Sequence, residues 1–163
     1  EAYDPDIPKG LACCGSGRMS DDFEGHRIGD HLLSPTRTFL PVVKKVLDTF
    51  PNRIDAIMHN TGGAHSKVLK FCGNKRVVKD HLLPVPPVFR LIQEESGASN
   101  REMFQVFNMG TRLEFYVEES LAPELLKIAR SFHIDAQVIG HVEEAEKAEV
   151  VLHHNGEKII YVL

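Results

Sequence analysis

No apolar run in this chain approaches the roughly 20 residues that a membrane-crossing helix needs, and the first residues carry no signal-peptide pattern. Cysteine is scarce: Cys13 and Cys14 stand together and Cys72 stands alone. None is spaced as C-x-x-C, which excludes zinc or redox sites of that type, and an odd count suits reduced thiols in a cytoplasmic protein. Positive charge is not in excess. The formal net charge of −4 disfavours nucleic-acid binding through a global basic field. No G-x-x-x-x-G-K-[ST] string and no G-x-G-x-x-G string occurs, so neither common nucleotide loop is present. The nine histidines include no H-E-x-x-H, and no Ser/His/Asp order marks a hydrolase elbow. Internal repeats and low-complexity tracts are also lacking.

What remains is ordinary globular composition. The 163 residues, 42% hydrophobic and 26% charged, are enough for one domain with a core. The opening Glu1 to Gly10 reads as a surface connection, so we expect a piece of a longer protein. Residues 1 to 33 should be loops with one short strand near Leu11 to Cys14. A helix is expected from Pro35, capped by Ser34 and carrying Phe39, Leu40, Val43, Val46, Leu47 and Phe50. Strands are expected at Ile54 to Met58, Lys75 to Asp80, Arg112 to Val117 and Ala136 to Val142. Helices are expected at Ser66 to Phe71, after Pro84-Val85-Pro86-Pro87, after an Asn100 cap, and at Ala122 to Phe132. His154-Asn155-Gly156-Glu157 should turn a hairpin between Val150 to His153 and Lys158 to Val162. Interleaved helices and strands, closing on an antiparallel pair, predict an α+β fold: a mixed sheet covered by helices.

The string Met58-His59-Asn60-Thr61-Gly62-Gly63-Ala64-His65-Ser66-Lys67 carries the most chemistry. Its glycines let backbone N–H groups crowd toward one point, and the Thr61 hydroxyl joins them, which suits a phosphate or carboxylate. The plainer reading is a tight strand-to-helix connection. His59, just before the turn, is a candidate acid/base or hydrogen-bond donor, or else a structural histidine. His65 reads as a solvent-facing first-turn residue. Thr36 and Arg37 fall in the first turn of their expected helix, where the dipole does not favour a cation. That conflict suggests ligand work, such as a clamp on phosphate, against a plain surface salt bridge. Asn108-Met109-Gly110 offers a positive φ at Gly110 or Asn108 and a two-way amide, or simply a helix C-cap. Asp21, Asp22 and Asp30 read as solvated acids, Glu143 to Lys147 as an exposed loop, and His153-His154 as surface. No metal site is predicted.

Four strings occur in one order: Asp30-His31-Leu32-Leu33-Ser34-Pro35-Thr36-Arg37-Thr38-Phe39, His59-Asn60-Thr61-Gly62-Gly63, Pro86-Pro87-Val88-Phe89, and Glu102-Met103-Phe104-Gln105-Val106-Phe107-Asn108-Met109-Gly110. In this the chain resembles the C-terminal domain of aminoimidazole ribonucleotide synthetases, or phosphoribosylformylglycinamidine cyclo-ligases, in their Bacteroidetes-type form. The resemblance runs from about Leu32 to Val142. It implies residues 1–31 as a linker, residues 32–163 as that domain, and an N-terminal ATP-binding domain outside this chain. It further implies ATP-dependent closure of an imidazole ring in purine synthesis. ATP and Mg2+ would be held mainly by the N-terminal domain, and the full-length protein would be a homodimer. Thr36, Arg37, His59, Asn60, Thr61, Gly62, Gly63, Asn108, Met109 and Gly110 would line the phosphate end of a ribonucleotide site. Two departures stand out: Ala64 takes the third glycine's place, and the Ser-Asn-Gly-type loop and the nucleotide half are absent from these residues. The fragment alone is therefore expected to be inactive. The alternatives are a non-catalytic nucleotide-binding or assembly module, or another ATP-dependent member of the superfamily, which includes hydrogenase-maturation proteins and selenophosphate synthetase.

Overall fold

The computed structural model describes residues 15–163; the strand expected near Leu11 to Cys14 lies outside them. The elements in chain order are β1 (Asp22–Phe23), β2 (His26–Arg27), α1 (Ile28–Leu32), α2 (Leu40–Thr49), β3 (Ala56–His59), a 3₁₀ segment (Ala64–Lys70) and β4 (Lys75–Lys79). Then come α3 (Pro87–Ser96), α4 (Asn100–Val106), β5 (Leu113–Tyr116), a short 3₁₀ turn (Glu119–Leu121), α5 (Ala122–Ser131), β6 (Gly140–Glu144), β7 (Glu149–His154) and β8 (Glu157–Val162). The expected α+β fold is what forms. β6, β4, β7 and β8 make a four-stranded sheet in that order. It is mixed, because β4 and β7 run parallel while the outer pairs are antiparallel. β3 and β5 form a separate antiparallel ribbon.

Several expectations need correction. The helix expected from Pro35 begins only at Leu40. Pro41 explains this: it has no N–H to donate and its ring clashes with the carbonyl four residues back, so it is tolerated only in a first turn. A helix from Pro35 would have placed it in the interior. Ser34 therefore caps nothing, and Thr36 and Arg37 sit in an irregular exposed segment. The cap of α4 is Ser99, not Asn100, because Ser99 and Glu102 bond each other's backbone N–H in a reciprocal capping box. The stretch up to residue 33, expected to be loops apart from the strand near Leu11 to Cys14, contains the β1–β2 hairpin and α1. The strand expected at Ala136 to Val142 lies later, at Gly140–Glu144. Lys75 and Arg76 on β4 hold Glu144 and Glu143 opposite them, which draws those acids into the ladder rather than a loop. The Asn155-Gly156 hairpin forms as expected, with φ of 50° and 81° at its two residues.

Among the described residues two apolar cores result, with the β3–β5 ribbon between them. Val77, Val150, Leu152, Ile159 and Tyr161 alternate onto one face of the four-stranded sheet and pack with Val68 and Leu69 of the 3₁₀ segment and Met103 and Phe104 of α4. Val42 and Val46 of α2 pack with Leu121 and Leu125 in the second core, joined by Phe115 and Ile54. β5 alternates between the two. Phe115 faces the second core, while Tyr116 packs against the first. Glu114 shares the Tyr116 face by the same alternation, which carries a carboxylate toward the first core.

Candidate functional site

The site is built where β3 ends. Asn60 turns inward and is only 4% exposed. Its side-chain amide donates to the Thr111 carbonyl at 2.9 Å and to Glu114 Oε1 at 2.7 Å. The chain then comes back out, so Thr61, Gly62 and Gly63 are exposed. Gly63 takes φ 86°, ψ −9°, the left-handed conformation that glycine adopts without strain. Ala64 N–H donates to the Thr61 carbonyl, and Ser66 N–H to the Gly63 carbonyl. Among the described residues nothing accepts the N–H of Gly62 or Gly63. A Cβ built at Gly62 would meet nothing within 4 Å. Lys67 folds back over the turn, its Nζ donating to the His59 carbonyl at 2.7 Å and to the Thr61 hydroxyl. Two free N–H donors, a hydroxyl and an ammonium thus share one exposed turn.

The other candidates are distributed around it. His59 is exposed, and its ring meets Phe39 edge-on at 6.2 Å, which brings the 34–39 segment to the turn. Arg37 does not lie in a helical first turn. It donates from Nη1 to the His133 carbonyl at 2.9 Å, just past α5, where a helix C-terminus favours a cation. The local conflict expected at Arg37 is therefore absent, and among the described residues neither Thr36 nor Arg37 hydrogen-bonds to the glycine turn. The positive φ values in the third string fall on Met109 (47°) and Gly110 (100°), not Asn108. A Cβ at Gly110 would lie 2.7 Å from the Pro84 carbonyl, so that loop is pressed against the proline-rich connection. Met109 is 2% exposed and belongs to the core. Asn108 Oδ1 accepts the Gly110 N–H, and its carbonyl accepts from His65 Nε2 at 2.9 Å. A cleft of about 560 Å3 between the Pro84-Val85 stretch and the β7–β8 turn takes only Met109 from these candidates.

His65 is the clearest reversal: expected to face solvent, it is fully buried. It belongs to a charged network beneath the turn. Lys79 is 1% and Glu114 5% exposed. Lys79 Nζ donates to both Glu114 oxygens, at 2.7 and 2.9 Å, and to the His65 carbonyl at 3.2 Å. Glu114 also accepts from Tyr116 Oη at 2.6 Å. Because the Asn108 carbonyl can only accept, His65 carries its proton on Nε2 and turns the bare Nδ1 toward Lys79. Burial, with the Lys79 charge beside it, pushes the imidazole down to about 4 despite Glu114. For Glu114, burial acts upward, but Lys79, His65 and the hydrogen bonds from Lys79 and Tyr116 hold the carboxyl below its usual range. Burial pulls Lys79 down, and Glu114 opposes that. Burial, with the Glu114 charge, raises Tyr116.

Sequence reading missed Lys67, Lys79 and Glu114. The one signal was alternation: Lys79 lies two residues beyond Val77, on the strand face that turned out to be core.

This network makes stability pH-dependent. The unfolded His65 imidazole takes its proton near 6.5 and the folded one near 4. The contribution is complete above the unfolded value and is lost as pH falls between the two, by about 3 kcal/mol. Glu114, held low, adds a further loss as pH falls from its unfolded value of 4.5. Urea titrations at pH 7, 5.5 and 4.5 should show the decline, and a flat profile would contradict the buried neutral imidazole.

Among the described residues no group of three or more His, Cys, Asp or Glu side chains is placed to hold a metal ion. No described helix is long and apolar enough to cross a membrane.

Comparison with known proteins adds three findings. Residues 10–153 match the family described as AIR synthase related protein, C-terminal domain. Phosphoribosylformylglycinamidine cyclo-ligases are relatives: that of Methanococcus vannielii is 34% identical over 146 residues, 83% of this chain and 40% of the relative. That of Methanopyrus kandleri is 33% identical, covering 83% and 38%; that of Fusobacterium nucleatum is 33% identical, covering 76% and 37%. The chain thus spans at most about 40% of the length of these curated relatives. Among solved structures, the hydrogenase maturation protein HypE of E. coli superposes with a TM-score of 0.57 at 24% identity, covering 78% of this chain and 39% of that one. At that identity the likeness establishes a shared fold.

Proposed function

Since the chain belongs to the AIR synthase related protein family as its C-terminal domain, we propose that it is the substrate-holding part of a phosphoribosylformylglycinamidine cyclo-ligase. The observation that carries this reading is the exposed Thr61-Gly62-Gly63 turn, with two unaccepted N–H groups under the Lys67 ammonium. Directed N–H donors and one positive charge suit the phosphate of a ribonucleotide. In this reading Gly62, Gly63, Thr61 and Lys67 bind the phosphate, and Asn60 anchors the turn from below. Arg37 and Thr36 approach from the exposed 34–39 segment, and Arg37 keeps guanidinium donors beyond its bond to His133. The loop of Asn108, Met109 and Gly110 supports the turn through His65. His59, exposed beside the turn, is the candidate to move a proton during ring closure.

We assign ATP and Mg2+ to the remainder of the full-length protein, since the described residues offer no carboxylate cluster for the metal. The same reading makes the partners the protein's own N-terminal domain and a second subunit, and places the enzyme in purine biosynthesis in the cytoplasm. It predicts no ring closure by this chain alone.

The test is calorimetric titration of formylglycinamidine ribonucleotide into the chain, with ATP in parallel. Binding of the ribonucleotide but not ATP supports the reading. Binding of neither, with the same result on the full-length protein, overturns it. Lys67→Met is expected to weaken ribonucleotide binding about tenfold, the worth of one charge-assisted hydrogen bond. Unchanged affinity would remove Lys67 from the site.

A further inference from the structure

We propose that the buried Lys79–Glu114 pair positions the phosphate-binding turn by pinning it at both ends, a role that rests on the phosphate reading of that turn. Asn60 immediately precedes Thr61-Gly62-Gly63, and its amide is held by Glu114 Oε1 at 2.7 Å. His65 follows two residues after Gly63, and its carbonyl is held by Lys79 Nζ at 3.2 Å. The two pinning charges are themselves joined at 2.7 Å. Both ends of the exposed turn are thus referred to one rigid point beneath it. The opposite ends of the pair come from different layers: Lys79 from β4 of the mixed sheet and Glu114 from β5 of the ribbon. The pair therefore registers the turn against the sheet and, through His65 Nε2 and the Asn108 carbonyl, against the neighbouring loop.

An apolar pair of similar volume would fill the same space and satisfy the core, but it would offer Asn60 and His65 nothing to bind. Charged residues in this place are better explained by what they orient. A preorganised turn binds more tightly because little freedom is lost when the anion arrives. Lys79 and Glu114 do not touch the ligand; they act through Asn60 and His65.

Tyr116 supplies the control. Its Oη donates to Glu114 Oε2, the oxygen that Asn60 does not use. Removing it weakens the network without releasing either end of the turn. If the pair were merely structural, phosphate affinity would follow stability through any set of variants.

The experiment titrates inorganic phosphate into the isotope-labelled chain, follows the Gly62 and Gly63 amide resonances, and records thermal melting beside it. The parent should show saturable shifts at both amides. The Lys79→Met/Glu114→Leu double variant should keep its fold yet bind phosphate at least tenfold more weakly. Tyr116→Phe should melt lower and bind phosphate as the parent does. Asn60→Ala, which leaves the charge pair intact but frees the first end of the turn, supplies the same readout should the double variant fail to fold, and it too should lose affinity. Parent-like affinity in the folded pair variant overturns the positioning role and leaves the phosphate reading intact. Affinity that tracks melting temperature across all variants also overturns it. No response at Gly62 and Gly63 in the parent overturns both.

Discussion

Glu114→Leu alone is expected to cost about 3–5 kcal/mol of folding stability, whereas Lys79→Met/Glu114→Leu should recover most of that loss. The single change leaves an ammonium, 1% exposed, with only the His65 carbonyl and a bare imidazole nitrogen within reach. It also orphans the Tyr116 hydroxyl and takes one of the two acceptors from Asn60. The double change removes the buried charge altogether. Tyr116 still lacks a partner there, so the double variant should fall short of the parent by about 1–2 kcal/mol. Lys79→Met alone strands the Glu114 carboxylate at a similar cost, so the coupling between the two positions, read from urea denaturation of the four proteins, should be about 4 kcal/mol or more. Additive losses would show that the two side chains do not meet as described.

Gly140→Ala is the second large effect. A Cβ there would lie 1.8 Å from the Val78 carbonyl oxygen and 3.0 Å from Lys79 Cα, both backbone. No side chain can swing aside to relieve such a clash, so β6 must leave β4 at its first pair, Lys79 with Gly140. The cost should exceed about 3 kcal/mol. Amide exchange should speed up at the Asp80 and His81 N–H groups, which donate to the Ile139 carbonyl. Gly156→Ala isolates the other hazard of replacing glycine. Its Cβ would meet nothing within 4 Å, but its φ is +81°, so the loss should be about 1 kcal/mol. Equal melting temperatures for the two variants would contradict the β4–β6 pairing.

Features governed by local chemistry were legible in the sequence. The Asn-Gly hairpin, the amphipathic α5 with its early Pro123 and the Pro87 start of α3 all follow from neighbours in the chain. Local signals also explain two of the failures. Pro41 forbids a helix from Pro35, and the Ser99–Glu102 spacing outranks an Asn100 cap. What the sequence did not disclose depends on register. Whether Lys79 faces water or core is decided by which strand face the 3₁₀ segment covers, and His65 is buried by the same packing. Glu143 and Glu144 look like loop acids until Arg76 and Lys75 are placed opposite them. Of the site, the turn Thr61-Gly62-Gly63 was visible from its residues. Its supports were not, because Asn60, His65, Lys79 and Glu114 converge from separate elements.

In the proposed function the exposed glycine turn receives the ribonucleotide phosphate. Amide spectra of the labelled chain titrated with formylglycinamidine ribonucleotide test it most directly. The account predicts saturable shifts largest at Gly62 and Gly63, with Thr61 and Lys67 following and the β1–β2 hairpin silent. Saturable binding of the ribonucleotide that leaves Gly62 and Gly63 unmoved would contradict it.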